Sequence, residues 1–474
     1  MNSEEFRKNG REVIDFIADY LENTERYPVK SQVNPGDIFS QIPESAPNEA
    51  ENFENILNDF KNVIMPGITH WQSPNFYAYF SSNNSYESIL GELLSAGLGV
   101  HAFSWETSPA ATELEEAMMI WLRQIIGLSD DFTGVIQDTA STATLCSILT
   151  ARDKKFRDNP KLDKSEIHGL RIYCSNQAHS SIERAVMISG IGVENLIKID
   201  VDSNYAMDIN ALREAIKTDI NNDYIPLCIV SAIGTTGSFA VDPVGEICKI
   251  AKEFELWHHI DAAYSGNAMI LDEYKYLANQ AEGCDTFVFN PHKWLFFNFD
   301  FSAYFVKDKQ ALISTFEILP EYLKTAQGST VNNYRDWGIQ LGRRFRALKA
   351  WFVLRGIGVN GLQDRLRLHI ELAKIIEQKV VESPDFELLA PLAFNLVCFR
   401  YHPDGIDNDD ELNRINEEIL SEINNTGKIF LTKTKLNGKT TIRMVTGTTR
   451  VNEKFVLEAW NIISETARMY SINH

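Results

Sequence analysis

From about residue 134 onward, short β-rich runs alternate with helical stretches, and this alternation constrains the fold more than any other feature of the chain. The runs are "GVIQ", "LRIYCS", "IPLCIVSAIG", "LWHHIDAAY", "TFVFNPH" and "SAYFVK", with helical candidates such as "SSIERAVMISG" and "VGEICKIAKEF" between several of them. Such a pattern predicts a mostly parallel central sheet flanked by helices on both faces. Ligands of open α/β sheets sit at the carboxyl ends of the strands, so the polar residues closing each run are the place to look for chemistry.

The flanks read differently. Val13, Phe16, Ile17, Tyr20 and Leu21 form one helical apolar stripe, and Phe53, Ile56, Leu57, Phe60 and Ile64 another, with the proline-marked "YPVKSQVNPGDIFSQIPESAP" as an extended segment between them. Two such helices cannot cover their own stripes and need a body or a second subunit. Further on, "TSPAATELEEAMMIWLRQIIGL" offers Ser108 as N-cap, Pro109 at the first helical position and Gly127 near the end. Past Gly361 a long helix, "FNLVCFRYH", a helix and "KTTIRMVTG" suit a small α+β domain. The expected organisation is an N-terminal helical arm and dimerisation segment over 1–85, a large α/β domain over 86–360 and a small C-terminal domain over 361–474.

Composition excludes several function classes. A net charge of -20 argues against nucleic-acid binding and against an anionic membrane surface. No apolar run approaches the ~20 residues that a membrane helix needs, and the first residues lack the apolar region of a signal peptide. The six cysteines are scattered, without C-x-x-C pairs or a His/Cys cluster, so the expectation is reduced thiols, no metal site and a cytoplasmic location.

The strand ends carry the chemistry. "VFNPHKWLFFNF" sets Lys293 among Val288, Phe289, Trp294, Leu295, Phe296 and Phe297. Either a surface strand turns this lysine to water, or the amine is buried, where it loses its proton or bonds covalently. "GVIQDTASTATL" ends a strand with Asp138, Thr139, Ala140, Ser141 and Thr142 and then enters a helix; this is an ordinary N-cap or a phosphate socket. His179, just before another helix, either lies over a planar ligand or bonds locally. Asp261 closes an apolar strand, where its carboxylate needs a partner such as a protonated ring nitrogen or a buried arginine. Thr235 lies in the turn of "IGTTGS", and Asn290 and His292 precede Lys293. Phosphate cradle, ring-facing histidine, buried carboxylate and buried lysine, in this order, together fit pyridoxal phosphate, which needs an amine for a Schiff base, an anion for its pyridine N–H and a phosphate socket.

The chain also resembles the pyridoxal-phosphate (group II) decarboxylases of the aromatic-L-amino-acid decarboxylase type. The resemblance runs through "HWQSPNFYAYF", "SWETSPAATELE", "VIQDTASTATL", "QAHSSIERA", "WHHIDAAYSG", "NPHKW", "LGRRFRALKAWFVLR" and "TKLNGKTTIRM", over nearly the whole length. It implies the dimeric aspartate-aminotransferase-like architecture (fold type I) and decarboxylation of an aromatic amino acid to its amine and carbon dioxide. By this resemblance Lys293 carries the Schiff base, Asp261 pairs with the pyridine nitrogen, and His179 stacks on the ring. Ala140, Ser141, Asn290 and His292 hold the phosphate, and Thr235 supports the ring region. Trp71, Tyr79, Phe80 and Phe103 wall the substrate pocket, some of them contributed by the partner subunit of a homodimer. Tyr322 falls on the loop that closes over substrate and protonates the former α-carbon. Gly342 matches a position where glycine accompanies catechol or indole substrates. Two residues depart from the family pattern: Asp138 stands where glycine is common, and His101 where an aliphatic residue is usual beside the substrate.

Three other activities compete. An aromatic acetaldehyde synthase goes with phenylalanine at the loop tyrosine, so Tyr322 argues for simple decarboxylation. Glutamate decarboxylation fits less well, since Trp71, Tyr79, Phe80 and Phe103 suit a flat apolar side chain better than a carboxylate, and in the family histidine decarboxylation goes with serine where Gly342 stands. A catalytically silent binding or scaffold protein has no use for Lys293, Asp261 and His179 together.

Overall fold

The computed structural model describes residues 1–318 and 330–473. Its larger sheet has seven strands: β1 (Thr133–Gln137), β2 (Leu170–Ser175), β3 (Leu196–Ile199), β4 (Ile225–Ala232), β5 (Trp257–Asp261), β6 (Thr286–Phe289) and β7 (Ser302–Val306). They lie in the order β1-β7-β6-β5-β4-β2-β3. β2 to β6 run parallel, whereas β7 is antiparallel to both its neighbours, β6 and β1. The two reversals cancel. β1 therefore points the same way as β2–β6, and six carboxyl ends share one edge of the sheet.

The six runs picked out in the sequence all become strands, and a seventh, β3, comes from "LIKI". Every residue of β2, β6 and β7 is buried, as a sheet covered on both faces requires. The helix Ala140–Asp158 begins directly after β1 with Thr139 as its N-cap. It meets the sheet through a buried polar seam as well as apolar contacts. Thr144 Oγ1 lies 3.1 Å from His259 Nε2, Ser147 Oγ lies 2.7 Å from Thr286 Oγ1, and Trp257 Nε1 donates to Ser147 Oγ at 2.9 Å. The helix Pro109–Ile126 has Ser108 capping the amide of Ala111 and Gly127 at φ 82° as its C-cap.

The smaller sheet is antiparallel throughout: β8 (Phe386–Leu388), β9 (Leu396–Tyr401), β10 (Thr432–Leu436) and β11 (Lys439–Val445), in the order β10-β11-β9-β8. The helix Asp409–Asn425 is tied to it by Asn416, whose side chain bonds both the N–H and the C=O of Tyr401, at 2.7 and 2.8 Å.

Contacts divide the chain into two compact units. One is Met1–Ser81 with His369–Leu389 and Asn395–His474; the other is Ser82–Leu368 with Ala390–Phe394. The N-terminal segment thus belongs with the smaller sheet. Its backbone is stitched there by Val29 N–H to Gly427 C=O (2.8 Å), Tyr77 N–H to Phe430 C=O (2.9 Å) and Val445 N–H to Tyr77 C=O (3.1 Å). All six cysteines are buried and none is in a disulfide. Among the described residues no helix is long and apolar enough to cross a membrane.

Candidate active site

Three neighbouring strand ends form the centre of the larger unit. Asp261 is the last residue of β5, aligned with Ala232 of β4 and Val288 of β6. Its carbonyl accepts from Ile233 N–H at 3.0 Å, and Asn290 N–H donates to Ala263 C=O at 2.9 Å, so the segments leaving the three strands are fixed to one another. One carboxylate oxygen of Asp261 accepts from Ala263 N–H at 3.0 Å. Lys293 sits in the short helix Pro291–Trp294 that follows β6, its backbone carbonyl held by Asn83 Nδ2 at 3.1 Å. Trp294, Leu295, Phe296 and Phe297 beside it are completely buried. Burial lowers the pKa of the Lys293 amine, against the opposing pull of Asp261. The residue as a whole is half-buried.

The histidines flanking this pair are neutral for different reasons. His179 caps the helix Ser180–Ile188, its Nδ1 accepting from Ser181 N–H at 3.1 Å and lying 2.8 Å from Ser181 Oγ. An Nδ1 that accepts a backbone N–H carries no proton. Desolvation lowers the pKa further, with the Asp261 carboxylate pulling up and Lys293 and Arg184 pushing down. The local bonds fix the imidazole while the residue stays exposed. His292 is buried; its Nδ1 accepts from Phe301 N–H at 2.8 Å, and desolvation followed by the charges of Lys293 and Lys349 brings its pKa down to about 3. Its Nε2–H is the donor left for a ligand.

Thr235 is buried in the turn after β4, with Oγ1 3.2 Å from Ser238 Oγ. Gly234 before it has φ +87°, and a Cβ there would come 1.9 Å from Ser265 Oγ, so only glycine passes at this point. Ala140 and Ser141 open the helix Ala140–Asp158, whose first amides have no partner within the helix and face the shared strand edge. Around this centre, Ser175 Oγ, Ser265 Oγ and Asn290 Oδ1 are buried and lack a hydrogen-bond partner among the described residues. Buried polar atoms left this way ask for a ligand.

The remaining residues singled out in the sequence divide between the units. In the larger one, Gly342 and His101 are neighbours: a Cβ on Gly342 would stand 3.6 Å from His101 Cε1. The His101 and Phe103 rings meet edge to face at 6.1 Å. In the smaller one, Trp71 and Tyr79 stack at 5.8 Å and are both exposed, and the guanidinium of Arg443 lies over the Phe80 ring at 5.4 Å. Arg443 was not anticipated; the signal available was a charged residue in the strand run "TTIRMV", and it is indeed buried in β11. Tyr322 lies outside the described residues.

A family model of the pyridoxal-dependent decarboxylase conserved domain matches residues 35–402. The chain is 43% identical to a phenylacetaldehyde synthase of Arabidopsis thaliana, over 98% of this chain and 96% of that protein. It is 44% identical to tyrosine decarboxylase 2 of the same plant, over 100% of this chain and 89% of that protein. The crystal structure of Catharanthus roseus tryptophan decarboxylase in complex with L-tryptophan superposes with a TM-score of 0.94 at 36% identity, covering 99% of both chains.

Proposed function

Because the chain belongs to the pyridoxal-dependent decarboxylase family and has its fold type I architecture, we propose that it converts an aromatic L-amino acid to the amine and carbon dioxide, with pyridoxal phosphate anchored on Lys293. The observation that carries the residue assignment is the placement of Lys293, among completely buried neighbours, at the strand edge that also carries Asp261 and a helix N-terminus.

The residues fit the cofactor. Lys293 offers an amine of reduced proton affinity, Asp261 an anion for a pyridine N–H, and Ala140 and Ser141 free amides for a phosphate. The unpartnered Asn290 Oδ1 and Ser265 Oγ are polar atoms that a bound group would satisfy. When bound, pyridoxal phosphate supplies a sink for the electron pair released as the carboxylate leaves. Asp261 would keep a bound ring nitrogen protonated, and His179, held by Ser181, would face the ring. The Ala140 and Ser141 amides, His292 through Nε2 and the Asn290 side-chain amide would hold the phosphate, and Thr235 would support the ring from its turn. On the family resemblance we assign Trp71, Tyr79, Phe80 and Phe103, with His101 and Gly342, to recognition of the flat side chain. Tyr322 delivers the proton that the α-carbon gains in place of the carboxyl group.

A homodimer with shared active sites completes the proposal. The helix Tyr86–Leu98 leaves Leu90, Leu93, Leu94 and Leu98 between 47% and 62% exposed, and Trp121 is 39% exposed, an apolar surface that a second copy covers. Six buried cysteines and a strongly acidic surface suit the cytoplasm, which we propose as the location. The aldehyde synthase reading has support in the 43% identical relative, and Tyr322 favours the amine. Borohydride reduction of the holoenzyme followed by peptide mapping is expected to place the pyridoxyl group on Lys293. Label on another lysine would sink the site assignment.

A further inference from the structure

The last residues of β1 do more than lead into the helix Ala140–Asp158: they form a rail on which a distant loop is mounted. Gln137 Nε2 donates to Trp337 C=O at 3.0 Å, Gln340 Nε2 donates to Asp138 Oδ2 at 2.6 Å, and Arg343 NH2 donates to Ile136 C=O at 3.0 Å. Arg343 also pairs with the buried Glu115, which accepts Ile136 N–H at 2.9 Å. Gly338 lets the loop approach this closely, since a Cβ there would stand 2.8 Å from Gln137 Nε2. Between the two buried ends, Ile339, Gln340, Leu341 and Gly342 are exposed; the Ile339 backbone N–H bonds the Cys146 thiol, and the Gln340 side chain ties the tip to Asp138.

The other carboxylate oxygen of Asp138 accepts from Thr139 N–H at 2.6 Å and from Thr139 Oγ1 at 3.2 Å. Both oxygens are therefore engaged, one by the cap of the helix and one by the loop. Burial by itself would raise the pKa of Asp138, but bonds from Thr142, Gln340 and Thr139 outweigh it and leave the pKa below the usual carboxylate value. The negative charge persists, close enough to act on the His292 ring.

We infer that Asp138 is a positioning residue for the substrate: by clamping Gln340 it fixes the tip that presents Gly342 against His101, and it does so at the expense of affinity for the phosphate end of the cofactor. The inference rests on the reading above, in which Ala140 and Ser141 hold the phosphate and Gly342 and His101 face the substrate ring. Its two parts have opposite signs. A fixed carboxylate two residues from the phosphate repels it, so removing the charge strengthens cofactor binding; removing the clamp lets the tip wander, so it weakens substrate binding.

Asp138→Ala, Asp138→Asn, Gln340→Ala and the Asp138→Ala/Gln340→Ala pair test this. Titration of each apoenzyme with pyridoxal phosphate is expected to give binding about three- to tenfold tighter for both Asp138 variants, and within about twofold of the parent for Gln340→Ala. In the holoenzymes, Asp138→Ala and Gln340→Ala are each expected to raise KM for the best aromatic substrate about five- to tenfold with kcat changed less than about twofold, and the pair to be no worse than either alone. Asp138→Asn is expected to restore KM, because its amide still accepts Thr139 N–H and donates to a flipped Gln340 carbonyl. Additive KM effects, a failed rescue by Asn, or weaker cofactor binding in Asp138→Asn would overturn the inference. Since Asp138→Asn and Gln340→Ala are isosteric or exposed changes, the outcome does not depend on whether Asp138→Ala folds. If Lys293 takes the borohydride label and these patterns still fail, the fault lies with the clamp and not with the site.

Discussion

A proton must reach the α-carbon once the carboxyl group has gone, and in the proposed reaction Tyr322 delivers it. Tyr322→Phe is expected to retain cofactor while amine formation falls by at least about 100-fold. With no proton arriving, the substrate carbon meets dioxygen instead, and aldehyde, ammonia, carbon dioxide and peroxide appear together. Amine production at the parent rate would remove Tyr322 from the mechanism. Gly342 offers a second single-residue experiment. A Cβ there makes ordinary contact with His101 at 3.6 Å, so Gly342→Ser should fold and lose only ligand space. It is expected to reduce kcat/KM for indolic substrates about tenfold more than for phenolic ones, and equal losses would show that this position does not sense ring size. Lys293 could be singled out from its apolar neighbours Val288, Phe289 and Trp294 to Phe297, although that stretch alone leaves a solvent-facing lysine open and only the other strand ends point to a shared site. The bond between Asp138 and Gln340 could not: it joins residues 202 positions apart, and although Asp138 departs from the family's common glycine, nothing in the sequence names its partner.

Strand β5 carries a pH response of its own. His258 and His259 are fully buried, and desolvation lowers the pKa of each to about 3. Both ring nitrogens of His259 face hydroxyls, Thr144 Oγ1 at 3.1 Å and Thr286 Oγ1 at 2.9 Å, while His258 Nε2 lies 2.7 Å from Ser231 Oγ. Folded, the rings stay neutral; unfolded, each takes up a proton below about pH 6.5. The unfolded state then binds more protons, so the stabilisation is full above pH 6.5 and is lost as pH falls toward 3. Between pH 6.5 and 5 each ring should withdraw about 2 kcal/mol. His259→Gln should therefore show a shallower loss of urea resistance over that interval by about this amount, and an unchanged slope would mean that the ring is not neutral in the fold. The polar seam that His259 joins also limits what sequence patterning reveals. "LWHHIDAAY" reads as a strand because its flanks are apolar, but "LIKI" of β3 is four residues long with its middle pair incompletely buried, too little to stand out from a loop. The reversal of β7 was equally hidden, since a buried strand has the same composition in either direction.

At the scale of the whole molecule, shared active sites can be tested by mixing. Chains bearing Lys293→Ala and chains bearing Phe103→Ala, each inactive alone, are expected to recover about a quarter of the parent activity when combined. Half of a statistical mixture is heterodimer, and each heterodimer has one intact site. Verified heterodimers without activity would show that each chain builds its site alone. The order of elements and the small C-terminal α+β region were legible in the patterning, whereas the joining of residues from both ends of the chain into one unit was not, because periodicity carries no information about which distant segments meet. That joining sets a schedule for synthesis. Val29 bonds Gly427, and Tyr77 bonds Phe430 and Val445, so contacts of the earliest residues have partners several hundred positions later. On the ribosome, residues 82–368 emerge with their sheet complete and can collapse as a body while the opening 81 residues still wait for strands not yet translated. Closing so long a separation is slow, which leaves the backbone groups of Val29 and Tyr77 without these partners until the C-terminal strands are made.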